Sequence, residues 1–255
     1  MQRLKGQVAF VTGAGRGIGQ AMALAFAAEG AIVGVADIDP VTAKSTVSEI
    51  EKNSGTARAF PIDVSRRDDV LRSVAELVSE FGRLDIVANN AILFRSEPVS
   101  DVREDTIERM ISVGLKSLFW TAQAALLHMH PERGGVIINN TSPVAEELGA
   151  PRLSVYSAIK GAVSSLTRSL AVEFGPRRIR VNAVCPSSVP TPGARALNNN
   201  DDALYEARRR RTPLGRLGTP EDIASAAVFL CSADASFITA AVIRIDGGAT
   251  VYGGS

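Results

Sequence analysis

The chain has 255 residues, 45% apolar and 22% charged, which excludes a disordered chain and leaves enough apolar surface for a sizeable core. Lys plus Arg total 28 against 27 for Asp plus Glu, so no basic surplus points to a nucleic-acid partner. Cys185 and Cys231 form no CxxC motif, residues 1–6 are polar and no unbroken apolar run could span a bilayer, so the expectation is a cytoplasmic protein with no membrane partner.

Short apolar runs alternate with longer amphipathic stretches. Residues 7–12, 31–36, 57–62, 84–88, 136–139 and 179–184 are continuous, Val- and Ile-containing runs, which suit parallel strands covered on both faces. Between them residues 17–29, 40–53, 67–81, 106–130 and 154–174 carry helical periodicity. A last strand at 241–245 follows a helix beginning near Pro220. This rhythm predicts a single α/β domain over residues 1–255, with one doubly wound parallel sheet, right-handed crossovers and helices on both faces. The rhythm breaks between Pro186 and Pro213, where Pro190, Pro192, an Asn198-Asn199-Asn200 tract and the arginines 208–211 fall. Residues 187–212 are expected to form a lid over a substrate.

The first strand runs into Thr12-Gly13-Ala14-Gly15-Arg16-Gly17-Ile18-Gly19 and then a helix. Glycine lets backbone approach a ligand closely, and a helix N-terminus offers free N–H groups to a pyrophosphate. Asp37 ends the next strand, 20 residues after Gly17, where a carboxylate can accept hydrogen bonds from adenosine ribose hydroxyls. The combination predicts a Rossmann-type dinucleotide site, whereas a glycine-rich turn alone would be ordinary. Asp37 and Asp39 would repel a 2′-phosphate, which favours NAD; Arg16 could reach such a phosphate, which keeps NADP as the less favoured alternative.

Tyr156 and Lys160 stand four residues apart in a helical segment and share one face. An ammonium beside a phenol lowers the phenol pKa, and a phenol so tuned can exchange a proton with a carbonyl or alcohol oxygen. By itself the pair reads better as an ordinary exposed pair on a helix.

Taken in order, the glycine loop 12–19, Asp63-Val64, Asn89-Asn90-Ala91, Tyr156-Ser157-Ala158-Ile159-Lys160, Arg180-Val181-Asn182 and Asp246-Gly247-Gly248 resemble the short-chain dehydrogenase/reductase family, over residues 6–248. The resemblance implies that Gly13, Gly15, Arg16, Gly17, Ile18 and Gly19 form the pyrophosphate loop and that Asp37 binds ribose. It implies that Asp63 hydrogen-bonds the adenine amino group with Val64 beside the ring, that Asn89 lines the cofactor cleft, and that Val189 and Thr191 meet the carboxamide end. Ile38, Ala91 and Pro186 are placed among the cofactor-binding residues as well. Tyr156 would be the general acid/base and Lys160 would bind the nicotinamide ribose. Family members are commonly tetramers built partly on the helices at 106–130 and 154–174, so a homo-oligomer, tetramer or dimer, is expected.

Four positions depart from the family pattern. Gly114 stands where an Asn usually supports a water-linked proton relay behind the lysine. Pro143 falls 13 residues before Tyr156, where the catalytic Ser usually lies, so Ser142 must shift into that role or the substrate-polarising hydroxyl is missing. Ile92 replaces the Gly of Asn-Asn-Ala-Gly, and Ser187 that of Pro-Gly. The plain reading is that Ser142 substitutes and water fills the space at Gly114.

The expected function is NAD-dependent interconversion of a secondary alcohol and a ketone, a small-molecule substrate, with Tyr156, Lys160 and Ser142 as catalytic residues. The alternatives are a cofactor-binding sensor or scaffold with altered or lost catalysis, and a 3-oxoacyl-carrier-protein reductase-like enzyme. The 208–211 run either attracts an anionic substrate or is a solvated helix face, the latter preferred. His128 and His130 gather no further ligands, so no metal is expected. Phe119 and Trp120 fit core or subunit contacts.

Overall fold

The central strands of the sheet owe their place to runs of residues that water would not tolerate exposed. In a computed structural model describing residues 2–145 and 147–252, β1 (Val8–Thr12) is buried along its whole length. Its alternation divides the core. Ala9 and Val11 pack with Met22, Phe26, Ile223 and Val228 on one face, while Val8 and Phe10 pack with Leu77, Ala125 and Phe174 on the other.

β1 is joined in one parallel sheet by β2 (Ile32–Asp37), β3 (Thr56–Pro61), β4 (Ile86–Asn89), β5 (Gly135–Asn140), β6 (Ile179–Pro186) and β7 (Val242–Ile245), in the order β3-β2-β1-β4-β5-β6-β7. One face carries α1 (Gly17–Ala28), α2 (Pro40–Lys52) and α9 (Pro220–Cys231). The other carries α3 (Arg67–Phe81), α5 (Ser117–His128) and α6 (Ser154–Phe174). The doubly wound sheet expected from the alternating pattern is therefore the observed one. β1 pairs with both β2 and β4. Strand order reverses there, and the loops leaving the carboxyl ends of β1 and β4 meet, which is where such sheets open a crevice for ligands.

Two expectations are corrected. The helix at 106–130 is not continuous: α4 (Glu104–Ile111) leads into a π-turn at Ser112–Lys116 before α5, and regular helix ends at His128. The 104–128 stretch is long and apolar enough by composition to cross a membrane, with mean hydropathy 1.3. Here its Ala122, Ala124 and Ala125 lie in the core against the sheet. The 187–212 region is also more regular than its prolines suggest. It holds α7 (Pro192–Leu197) and α8 (Asp202–Arg210), with Tyr205 of α8 buried between Arg195 and Arg208. Arg209 pairs with Glu206 across one turn, so the 208–211 run closes α8 rather than forming a free cluster. On α5, Phe119 is 43% exposed, not core.

Candidate active site

The glycine loop is anchored at its start by Thr12 and farther on by Thr46 of α2, whose Oγ1 donates to Ala14 O at 3.0 Å. Thr12 Oγ1 accepts the backbone N–H groups of Asn90 (3.1 Å) and Ala91 (3.2 Å), tying the end of β1 to the end of β4. Asn90 Nδ2 donates to Gly13 O at 3.0 Å and Asn140 Nδ2 donates to Asn90 Oδ1 at 2.9 Å, so the strand ends of β1, β4 and β5 are stitched together by side chains. Gly13 and Gly17 hold φ of 62° and 60°. A β-carbon at Gly19 would fall onto the Gly13 carbonyl oxygen and lie 2.5 Å from Asn90 Nδ2. The N-terminus of α1 has no side-chain cap at Arg16 and no acidic residue in its first turn. Its orphan N–H groups therefore face an anion site with no competing carboxylate.

Asp37 is fixed beside this loop. Its Oδ2 accepts from Gly15 N at 2.9 Å and its Oδ1 from Asp39 N at 3.0 Å, and each oxygen keeps further acceptor capacity for a hydroxyl. Ile38 next to it is 65% exposed, and Val64 is buried. Asp63 accepts from Ser65 Oγ at 2.7 Å and pairs with Arg109 at 2.6 Å. Burial pushes its pKa up, but these hydrogen bonds outweigh burial and hold it below the usual carboxylate range. A glycine cradle without β-carbons, an uncapped helix start and a pinned carboxylate suit a nicotinamide dinucleotide, with pyrophosphate at 13–19 and adenosine ribose at Asp37.

Asn89 needs correction. Its side chain is buried, accepting from Thr121 Oγ1 (2.8 Å) and donating to Asn139 Oδ1 (2.9 Å), while Asn139 donates to Thr167 Oγ1 (2.9 Å). Both polar atoms are spent on this internal chain between α5, β4, β5 and α6. The side chain does not line a cleft; Asn90 and Ala91 are the residues turned to the glycine loop.

Tyr156, Lys160 and Ser142 come together at the carboxyl edge of β5. Lys160 is buried, and its Nζ donates to the Asn140 carbonyl at 2.5 Å. Burial lowers its pKa to about 8. Nζ lies 5.7 Å from the centroid of the Tyr156 ring, and Phe94 meets that ring edge-on at 4.8 Å. Although some of the residue is exposed, the phenol sits deep: burial pushes its pKa up to about 12, a side-chain hydrogen bond with Ser142 works against that rise, and Cys185 adds to it. Burial is thus the largest influence on the phenol in the protein without its cofactor.

The departures from the family pattern also find their places. Pro143 opens a 3-10 turn, Pro143–Ala145, and leaves the neighbouring Ser142 beside the Tyr156 phenol, where it works against the rise in pKa. The space at Gly114 is not left for water. A β-carbon there would meet Ile92 Cδ1 at 2.6 Å and Ile159 Cγ2 at 3.0 Å. The Ile92 and Gly114 departures are thus one exchange, a large side chain opposite a missing one. Ser187 N donates to Ile245 O at 3.4 Å and so prolongs the β6–β7 pairing. Val189 is buried, and Thr191 caps α7 through Ala194 N (3.2 Å). Thr191 also lies against Gly17, its Cβ 3.2 Å from where a β-carbon of that glycine would be. The 187–212 segment therefore begins against the glycine loop.

Sequence reasoning missed Thr12, Asn90, Phe94 and the Asn140 carbonyl. Asn90 adjoined a recognised residue. The carbonyl of Asn140 carries no sequence signal, since any residue supplies one.

This combination defines a dinucleotide-binding oxidoreductase. A family model described as enoyl-(acyl carrier protein) reductase matches residues 13–250. The 3-oxoacyl-[acyl-carrier-protein] reductase FabG of Thermotoga maritima is 37% identical, over 98% of this chain and 100% of its own length. The 2-(S)-hydroxypropyl-CoM dehydrogenase 3 of Xanthobacter autotrophicus is 37% identical over 97% and 98%. A solved 7α-hydroxysteroid dehydrogenase, in complex with NADH and 7-oxo glycochenodeoxycholic acid, superposes with a TM-score of 0.91 at 34% identity, covering 97% of this chain and 95% of that one. The chain belongs to the short-chain dehydrogenase/reductase family and is an oxidoreductase acting on CH–OH donors.

Proposed function

We propose that this protein interconverts a secondary alcohol and a ketone with NAD, that Tyr156 is the general acid/base, and that residues 1–255 act as one domain with a lid at 187–212. The observation that carries the reading is the convergence of Tyr156, Ser142 and Lys160 at the carboxyl edge of the sheet, beside a loop fit for a dinucleotide. When bound, the nicotinamide supplies the hydride acceptor or donor. Tyr156 Oη takes the hydroxyl proton during oxidation and returns it during reduction. Ser142 donates a hydrogen bond to the substrate oxygen and holds the phenol in line. Lys160, anchored on the Asn140 carbonyl, provides the positive charge that favours the phenolate when protonated. Gly13, Gly15, Arg16, Gly17, Ile18 and Gly19 hold the pyrophosphate, Asp37 and Ile38 the ribose end, Asp63 and Val64 the adenine, and Ala91, Pro186, Val189 and Thr191 the nicotinamide end.

The pinned carboxylate of Asp37 supports NAD over NADP. Exposed Phe119 and Leu127 on α5 and Val172 on α6 support a homo-oligomer, dimer or tetramer, and two buried cysteines that form no disulfide support a cytoplasmic setting. The test is a panel of secondary alcohols and ketones with NAD and NADH, with Tyr156→Phe alongside. Tyr156→Phe should lose about 10²–10⁴-fold in kcat/KM while binding NADH as wild type does. A wild type that binds NADH and turns over nothing would instead support a sensor or scaffold. The FabG likeness supports a second reading, reduction of 3-oxoacyl carrier-protein thioesters. High activity on such thioesters would establish it.

A further inference from the structure

We propose that Ile92, wedged against Gly114, keeps water away from the Tyr156–Lys160 pair and thereby sets the pH range over which the site works. This rests on Tyr156 being the acid/base.

Gly114 lies in the π-turn between α4 and α5, and its φ is not in the left-handed region, so space rather than backbone conformation demands glycine there. That space is taken. Ile92 Cδ1 lies 2.6 Å from where a β-carbon would sit, and Ile159 Cγ2 3.0 Å. Ile92 and Ile159 belong to one apolar cluster with Met110, Leu118, Val163 and the Tyr156 ring. Ile159 adjoins Lys160 in α6, so the wedge abuts the segment that carries both functional groups.

The groups acting electrostatically on the phenol lie elsewhere: Ser142 after β5, Cys185 on β6, and Lys160 one turn along α6. On the side of Ile92, Arg95 donates to the Phe94 carbonyl at 3.2 Å and lines a small pocket with Glu97 and Arg152. Lys116 of the π-turn faces Glu108 at 3.6 Å, and Arg109 of α4 faces Asp63 at 2.6 Å. Leu93 and Phe94 after Ile92 are apolar. Against the ring itself, this side presents apolar side chains, Phe94 and the partly buried cluster of Ile92 with Ile159. Burial is the largest influence on both Tyr156 and Lys160, and it disfavours the phenolate and the ammonium alike. Water admitted at Ile92 would relieve both, and each relief makes the phenolate easier to form.

The experiment is the pH profile of kcat/KM for alcohol oxidation in wild type, Ile92→Val, Ile92→Ala and Ile92→Ala/Gly114→Ala. Ile92→Val removes only the Cδ1 methyl in contact with Gly114 and should fold. The midpoint is expected to move to lower pH, by about one unit for Ile92→Ala, a tenfold change in ionised fraction. The new methyl in the double variant should move it part of the way back. The KM for NAD should not change. Midpoints of both single variants within about 0.2 unit of wild type, when one unit marks a tenfold change, overturn the proposal. If Tyr156→Phe stays active, the acid/base reading fails instead. Should turnover be too low to profile, the tyrosinate absorbance of Ile92→Val, with Tyr156→Phe as the subtraction, reports the same midpoint.

Discussion

In the proposed site Asp37 would have a double function, which its hydrogen bonds support. It is an acceptor aimed at the loop, and it is a negative charge that two backbone amides hold in place. A 2′-phosphate would meet this charge at short range in a partly buried setting, where Coulomb repulsion is poorly screened. Asp37→Ser should therefore raise kcat/KM with NADPH and lower it with NADH, narrowing or reversing the preference by about tenfold or more, an energy of about 1.4 kcal/mol. Parallel initial-rate measurements with both cofactors check this, and an unchanged ratio would show that Asp37 does not select the cofactor. The sequence made Asp37, Tyr156 and Lys160 legible because each is a rare side chain at a revealing spacing. It left the state of Tyr156 illegible, because a pKa near 12 comes from what surrounds the phenol in space. The same holds for Asn89, whose two polar atoms are turned to residues 32 and 50 positions away.

Elements were legible where one periodicity ran unbroken. α3 and α6 occupy the expected residues, and the strands shift by one or two at their ends, where pairing rather than hydrophobicity sets the limit. The π-turn was hidden because it inserts into a helix without interrupting the apolar pattern around it. Its reason becomes visible only with Ile92, from another element, in contact with Gly114. The start of α1 is the reverse case, since its glycines stand out in the sequence itself. Gly19 faces the Gly13 carbonyl and Asn90 Nδ2, neither of which can retreat without breaking the stitching of β1 to β4. Gly19→Ala should weaken NADH binding by about tenfold or more and destabilise the fold by about 1–3 kcal/mol, as overpacking does. Fluorescence titration with NADH and urea unfolding measure the two effects. Wild-type values in both would mean that the loop can shift freely, against the rigid stitching described.

At the scale of the whole molecule, the candidate site is a burden on stability. The sheet brings a lysine and a phenol into a core that the α5, α6 and strand packing keeps dry, and Lys160 sits there with its pKa lowered from 10.5 to about 8. The unfolded chain holds this proton more tightly than the folded one. Below pH 8 the penalty is therefore fully present, and it is relieved as pH rises from about 8 towards 10.5. A shift of that size corresponds to about 3 kcal/mol. Lys160→Met removes the charge, although it leaves the Asn140 carbonyl without its donor, an offset of about 1–3 kcal/mol. The pH dependence separates the two contributions, since the carbonyl does not titrate. The stability of Lys160→Met relative to wild type should be greatest at pH 7 and fall by about 2 kcal/mol by pH 9.5, below the range in which Tyr156 adds its own term. Urea unfolding of both proteins across that interval tests this. A stability difference independent of pH would mean that Lys160 carries its proton in the folded protein as readily as in water, and that water reaches the site through the packing.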